Sequence, residues 1–140
     1  MRLLHRGKGD KKSATALQRD RPAGGGPDET LAYLERVLEE ARQGFQWAAP
    51  GYLESVAILL AQRGEGDGAA QLCGGVEAAR EKTGDAPSPE MRTVHEQTVA
   101  LARAQLGEKQ FSAARARGRA MSLDQAITYA LGAIQAAQRG

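Results

Sequence analysis

Four kinds of chemistry have raw material in this sequence: a phosphate-binding loop, a metal site, an activated thiol and an anion-binding arginine cluster. Gly7 to Ser13 reads Gly-Lys-Gly-Asp-Lys-Lys-Ser and ends on Lys-Ser, as a phosphate loop does. It lacks the second glycine, no strand signal leads into it, and no amphipathic helix follows closely. Backbone N–H groups are therefore not set to cradle a phosphate there. Metal ligation has little to draw on. His5, His95 and Cys73 are the only histidines and cysteine, and no two of them stand at ligand spacing. His95 reads as a partly exposed helix residue. Cys73 lies on an apolar stripe and reads as a small buried hydrophobe. A nucleophile needs a base and an oxyanion site, and none can be named. No catalytic, cofactor-binding or metal-ligating residue is assigned, no cofactor is expected, and the chain does not read as an enzyme.

Two surface features remain. Arg115, Arg117 and Arg119 form the one local charge cluster of the body. On a helix, Arg115 and Arg119 share a face that suits a phosphate or an acidic partner; a solvated turn is the alternative. Phe45, Trp47 and Tyr52 form an aromatic patch near the first interhelix turn. Packing between helices explains it, and any ring left exposed becomes a contact surface. The candidate partner-binding residues are thus Phe45, Trp47, Tyr52, Arg115 and Arg119. Glu35, Glu39, Glu40, Glu77 and Glu81 read as solvated helix charges, with Arg80 and Lys82 supplying opposite charge near the last two.

The elements that must position these residues are helices. Of 140 residues, 41% are apolar and only 4% aromatic, so the core is built from Leu, Val, Ile and Ala. Small apolar residues let helices pack closely, and no run alternates with the period of a strand. Residues 1–26 carry seven Lys or Arg against two Asp, and the remainder is mildly acidic. This stretch, ending in Gly24-Gly25-Gly26, reads as a disordered basic arm. A nucleic-acid tail, a solvated leader and the remnant of an altered reading frame are all compatible with it.

Residues 27–140 read as the helical domain. The first helix starts near Pro27-Asp28, carries Leu31, Leu34, Val37, Leu38 and Ala41 on one face, and ends at Gly44. Pro50 opens the second, with Leu53, Val56, Ala57 and Leu60, which Gly64 and Gly66 stop. Asp67 is expected to cap the third, which uses Ala69, Leu72, Cys73, Val76 and Ala79 and ends at Gly84. Ser88 caps the fourth, with Met91, Val94, Thr98, Leu101 and Ala102 inward, to Gly107. A short fifth helix holds Phe111 and Ala114 and fades at Gly118. Ser122 and Gln125 form a capping box for the last, whose stripe is Leu123, Ala126, Ile127, Ala130, Leu131 and Ile134.

Two stretches of this pattern resemble a known group. Leu60-Ala61-Gln62-Arg63-Gly64, followed by Asp67-Gly68-Ala69-Ala70 and Leu72, resembles the middle of a tetratricopeptide hairpin. Leu106 to Phe111, then Gly118-Arg119-Ala120-Met121-Ser122-Leu123-Asp124-Gln125-Ala126-Ile127 and Tyr129-Ala130-Leu131, is similar to the C-terminal end of large bacterial predicted-ATPase regulators, including those of the LuxR type. The resemblance runs from about Tyr33 to Leu131. Arg115 stands where that group commonly has a tryptophan, and Arg117 where it has an acid. The group's nucleotide-binding domain and any helix-turn-helix are missing from these residues.

The resemblance implies an all-α fold of about six helices in antiparallel hairpins, stacked as a tetratricopeptide-like repeat. It also implies a bacterial setting and a protein partner, such as an ATPase or DNA-binding regulator domain; the single cysteine, unable to form an intramolecular disulfide, fits a reducing cytoplasm. A non-enzymatic protein-interaction module is the expected function. A nucleic-acid-associated protein using the basic arm, and a nonfunctional fragment of a larger regulator with an open apolar face on its first helix, are the alternatives. No apolar run is long enough to span a bilayer.

Overall fold

The computed structural model describes residues 26–139. The arm expected over residues 1–26 lies outside them except for Gly26, as do His5 and the stretch from Gly7 to Ser13. The described residues form six α-helices and one short 3₁₀ turn, with no strand. The helices are α1 (Pro27–Gly44), α2 (Ala49–Gln62), α3 (Gly66–Thr83), α4 (Pro89–Leu106), α5 (Glu108–Arg119) and α6 (Leu123–Arg139). None is long and apolar enough to cross a membrane.

Local chemistry accounts for most boundaries. Ser88 Oγ accepts from the Met91 N–H at 3.1 Å, capping α4. Ser122 and Gln125 close a reciprocal capping box on α6, at 2.9 and 3.1 Å. Gly64, Gly84 and Gly107 take positive φ at helix ends, as chain reversal requires. One end differs from expectation. Asp67 does not cap α3: it sits in the first turn, where its carboxylate accepts from Gln71 and Arg117. α5 ends where expected, at Arg119, one residue past Gly118.

Gly118 decides the packing. α3 lies at the centre, against α2, α4, α5 and α6, with its widest contact on α5. At the crossing of α3 and α5 the two backbones touch. A Cβ on Gly118 would stand 1.8 Å from the Gln71 carbonyl oxygen, and one on Gly74 would stand 2.3 Å from that of Arg115. No side chain fits between these helices. Their flanking residues, including Leu72, Cys73, Phe111 and Ala114, are buried as a result.

α6 returns to the start of the domain and lies antiparallel to α1. Arg42 reaches Asp124 at 3.2 Å and bonds to Thr128, and Gln138 donates to Glu35 at 3.2 Å. The stripe Leu31, Leu34, Val37, Leu38 and Ala41 is buried, and α1 packs on both α2 and α6. The apolar face of the first helix, which the fragment alternative would leave open, is covered. In α4, Leu101 turns outward with 41% of its surface exposed, contrary to expectation. Val99 and Leu106 pack against the core in its stead.

Replacing Gly118 by alanine should force α3 and α5 apart and lower stability by about 2 kcal/mol or more, as overpacked sites do. Gly132 faces open space on α6. Its change to alanine should instead raise stability by about 0.5–1 kcal/mol through helix propensity. Urea denaturation of the two variants checks both signs.

Candidate functional site

α2 is apolar on nearly every side, and Glu54 is the only charged residue among its 14. Its carboxylate is fully buried. A charge withdrawn from water must be paired and hydrogen-bonded, and the neighbouring helices supply the partners. Arg80 of α3 donates to one oxygen at 3.1 Å, and His95 Nδ1 of α4 lies 2.8 Å from the other. The far nitrogen of the ring, Nε2, lies 2.7 Å from Glu77 of α3. Glu77 also takes a two-pronged contact from Arg115 of α5, at 2.9 and 2.8 Å, and a third from Arg119 at 3.2 Å. Arg119 then bonds Glu81 at 2.6 Å. Cations and anions alternate along this chain of contacts, which joins α2, α3, α4 and α5.

Helical spacing makes the arrangement possible. Cys73, Glu77 and Glu81 lie at intervals of four on α3, with Arg80 beside them, and Arg115 and Arg119 lie four apart on α5. The close crossing at Gly74 and Gly118 sets the two arginines over that row. Arg103 and Arg115 lie 4.4 and 5.8 Å from the Phe111 ring, so the buried phenylalanine anchors α5 between two guanidinium groups.

Electrostatics follow from the pairing. Burial alone would favour the neutral form of both His95 and Glu77, but their hydrogen bonds outweigh it. Contacts with Glu54 and Glu77 raise the imidazole to about 9. Contacts with His95 and Arg115 hold the Glu77 carboxyl at about 2. Burial, with Glu54 and Glu77 nearby, pushes the Cys73 thiol far above its ordinary range. A neutral thiol and a doubly bonded imidazolium offer neither a nucleophile nor a free base. What this cluster does offer is a donor set: a carboxylate oxygen of Glu54, Cys73 Sγ and a His95 ring nitrogen lie within 4.8 Å of one another.

The surface holds a second feature. A groove of about 780 Å³ runs between the 3₁₀ turn (Gln46–Ala48), the start of α2, the C-terminal half of α3 and the start of α4. Small residues such as Gly51, Ala78 and Ala79 line it, Met91 and Met121 add soft apolar surface, and Trp47 stands on its edge. Trp47 is 74% exposed and Phe45 56%.

The chain matches no known family, no characterised protein and no solved structure. Its own geometry carries the functional argument.

Among the partner-binding candidates, Phe45 and Trp47 are surface rings, whereas Tyr52 is half-buried and packs against the core. Arg115 and Arg119 do share a face, but both are committed to Glu77, and Arg117 pairs with Asp67 at 3.0 Å. Each of the three guanidinium groups thus has a carboxylate partner within the fold. Glu77 is not the solvated helix charge expected from spacing, because the α3 face that carries it points into the junction of four helices; His95 is part-buried, as expected, but held between Glu54 and Glu77. The one sequence signal for this cluster is Glu54, a lone charge amid the apolar run of α2.

Glu54→Gln leaves Arg80 and His95 facing an uncharged partner, and should destabilise the fold by about 3–5 kcal/mol in urea denaturation. The pairing also fixes the pH dependence. The folded-state value of Glu77 is depressed from 4.5, so its contribution is present above that pH and lost as pH falls toward about 2. That of His95 is raised from 6.5, so its contribution is complete below that pH and lost as pH rises through about 9. With a chelator present, stability from this pair should plateau between about 4.5 and 6.5 and decline on both sides; His95→Gln should remove the alkaline decline.

Proposed function

We propose that this chain is a non-enzymatic helical interaction module that receives a segment of a partner protein in the groove beside Trp47. The exposure of Trp47 on the groove edge carries the reading. Tryptophan is seldom left so open on a monomer surface and is enriched where partners dock. The groove floor of glycine and alanine admits a close approach, and methionines adapt to varied apolar side chains. Lys82, Asp85 and Glu90 are among its lining residues and supply charge of both signs.

The packed antiparallel pair of α2 and α3 supports a tetratricopeptide-like reading of the hairpins. The likeness of residues 101–131 to the end of bacterial ATPase-type regulators extends the proposal to a regulator domain as partner. The basic balance of residues 1–26 favours one competing reading, a nucleic-acid tether. That reading demands binding with a steep salt dependence, abolished by removing the arm.

Selection of peptides from a random library on the full chain tests the groove. Trp47 is the single tryptophan, so its emission should move to shorter wavelength when a selected peptide binds. Trp47→Ala should leave thermal unfolding nearly unchanged and weaken binding by about 2 kcal/mol, roughly 30-fold. Peptides that bind the variant as tightly as the parent would place the docking surface elsewhere.

A further inference from the structure

We propose that Glu54, Cys73 and His95 bind a divalent transition metal of the zinc class, which ties α2, α3 and α4 together. The inference is independent of the groove. A thiolate sulfur, an imidazole nitrogen and a carboxylate oxygen form a donor set suited to zinc and its neighbours, and unsuited to calcium or magnesium. Three helices bring these atoms within 4.8 Å of one another. Zinc bonds of roughly 2.0–2.3 Å at tetrahedral angles hold donor atoms roughly 3.3–3.7 Å apart. A contraction of about 1 Å by side-chain rotation closes the site.

The surroundings of His95 match what a metal-bound histidine requires. Such a ring donates its other N–H to a carboxylate, which fixes the tautomer and orientation. Here Nε2 faces Glu77 at 2.7 Å, and Arg115 locks Glu77 in place. The nitrogen left for a metal is Nδ1, which already stands 2.8 Å from Glu54. Cys73 points the same way. Its thiol is fully buried beside charged groups, yet it has no hydrogen-bond partner among the described residues.

Charge balance is kept. The incoming dication replaces two protons, one from the Cys73 thiol and one from His95 Nδ1, and both pass to solvent. The buried cluster therefore carries the same net charge with the ion as without it, and Arg80, Arg115 and Arg119 need not move away. A fourth position falls to the second Glu54 oxygen or to a water.

The test uses the full chain, freed of metal with a chelator and titrated with cobalt(II). One equivalent should give a thiolate-to-cobalt charge-transfer band together with the strong visible absorption of a four-coordinate ion, and zinc should bleach both. Cys73 is the only cysteine, so this band can come from no other residue. Cys73→Ala should abolish it, and Glu54→Gln and His95→Gln should each weaken binding by at least about tenfold, while His5→Gln leaves it unchanged. Circular dichroism establishes that each variant is folded; Cys73→Ala removes only a sulfur atom and is the variant that decides if the others unfold. No charge-transfer band on the folded parent at millimolar cobalt would overturn the proposal. So would a band that folded His95→Gln keeps at full affinity, which would mark an adventitious thiolate contact.

Discussion

A carboxylate sealed from water in the middle of an apolar helix constrains everything around it. A buried carboxylate needs a donor at each of its oxygens, and α3 and α4 each provide one for Glu54. That requirement sets the register of three helices against one another, because a shift of α4 by one turn would carry His95 out of reach. The second carboxylate, Glu77, extends the constraint to α5. It balances the imidazole from the other side and draws two arginines onto α3. Hydrophobic burial contributes more to stability, roughly 1.5–3 kcal/mol for each large side chain removed from water, but it is not directional. The ion pairs specify which helix meets which, and where.

The glycine crossing and the charge cluster depend on each other. Gly74 touches the α5 backbone at Arg115 and Arg119, the same two residues whose side chains reach Glu77 less than one turn further along α3. A larger residue at that crossing would lift the guanidinium groups away from the carboxylate. Close approach of backbones thus places the charges, and the charges in turn hold the backbones together. The end of α3 that emerges from this junction forms a wall of the groove, so the rigid interior fixes the shape of the surface offered to a partner.

Much of this fold is legible in the sequence, and the reasons are local. Helix positions follow from apolar spacing and from Gly, Pro, Ser122 and Gln125 at the ends, all of which act within a few residues. The buried stripes of α1 and α6 are nearly those that periodicity picks out. Legibility fails where the deciding contact is distant in the chain. Gly118 reads rightly as the fading end of α5, but its close approach to the Gln71 carbonyl, 47 residues away, does not show in the sequence. Glu77 reads as a solvated charge because spacing alone cannot show which face of α3 meets α4 and α5. His95 and Cys73 show no ligand spacing because they approach through folding, from separate helices. Asp67 loses its expected capping role to contacts with Gln71 and Arg117. The aromatic patch divides as its surroundings dictate: Tyr52, on α2, faces the core, while Phe45 and Trp47, at the turn, do not.

The pairing of Glu54 with His95 is the claim on which the account turns, and a double-mutant cycle measures it directly. Stabilities of the parent, Glu54→Gln, His95→Gln and the double variant, taken by urea denaturation near neutral pH with a chelator present, isolate the coupling between the two side chains. Residues that share one network couple by about 0.5–3 kcal/mol, and a buried contact at 2.8 Å should lie in the upper half of that range. A coupling indistinguishable from zero, with the two single losses simply adding, would mean that the imidazole does not hold the buried carboxylate and that the helices are registered by other means.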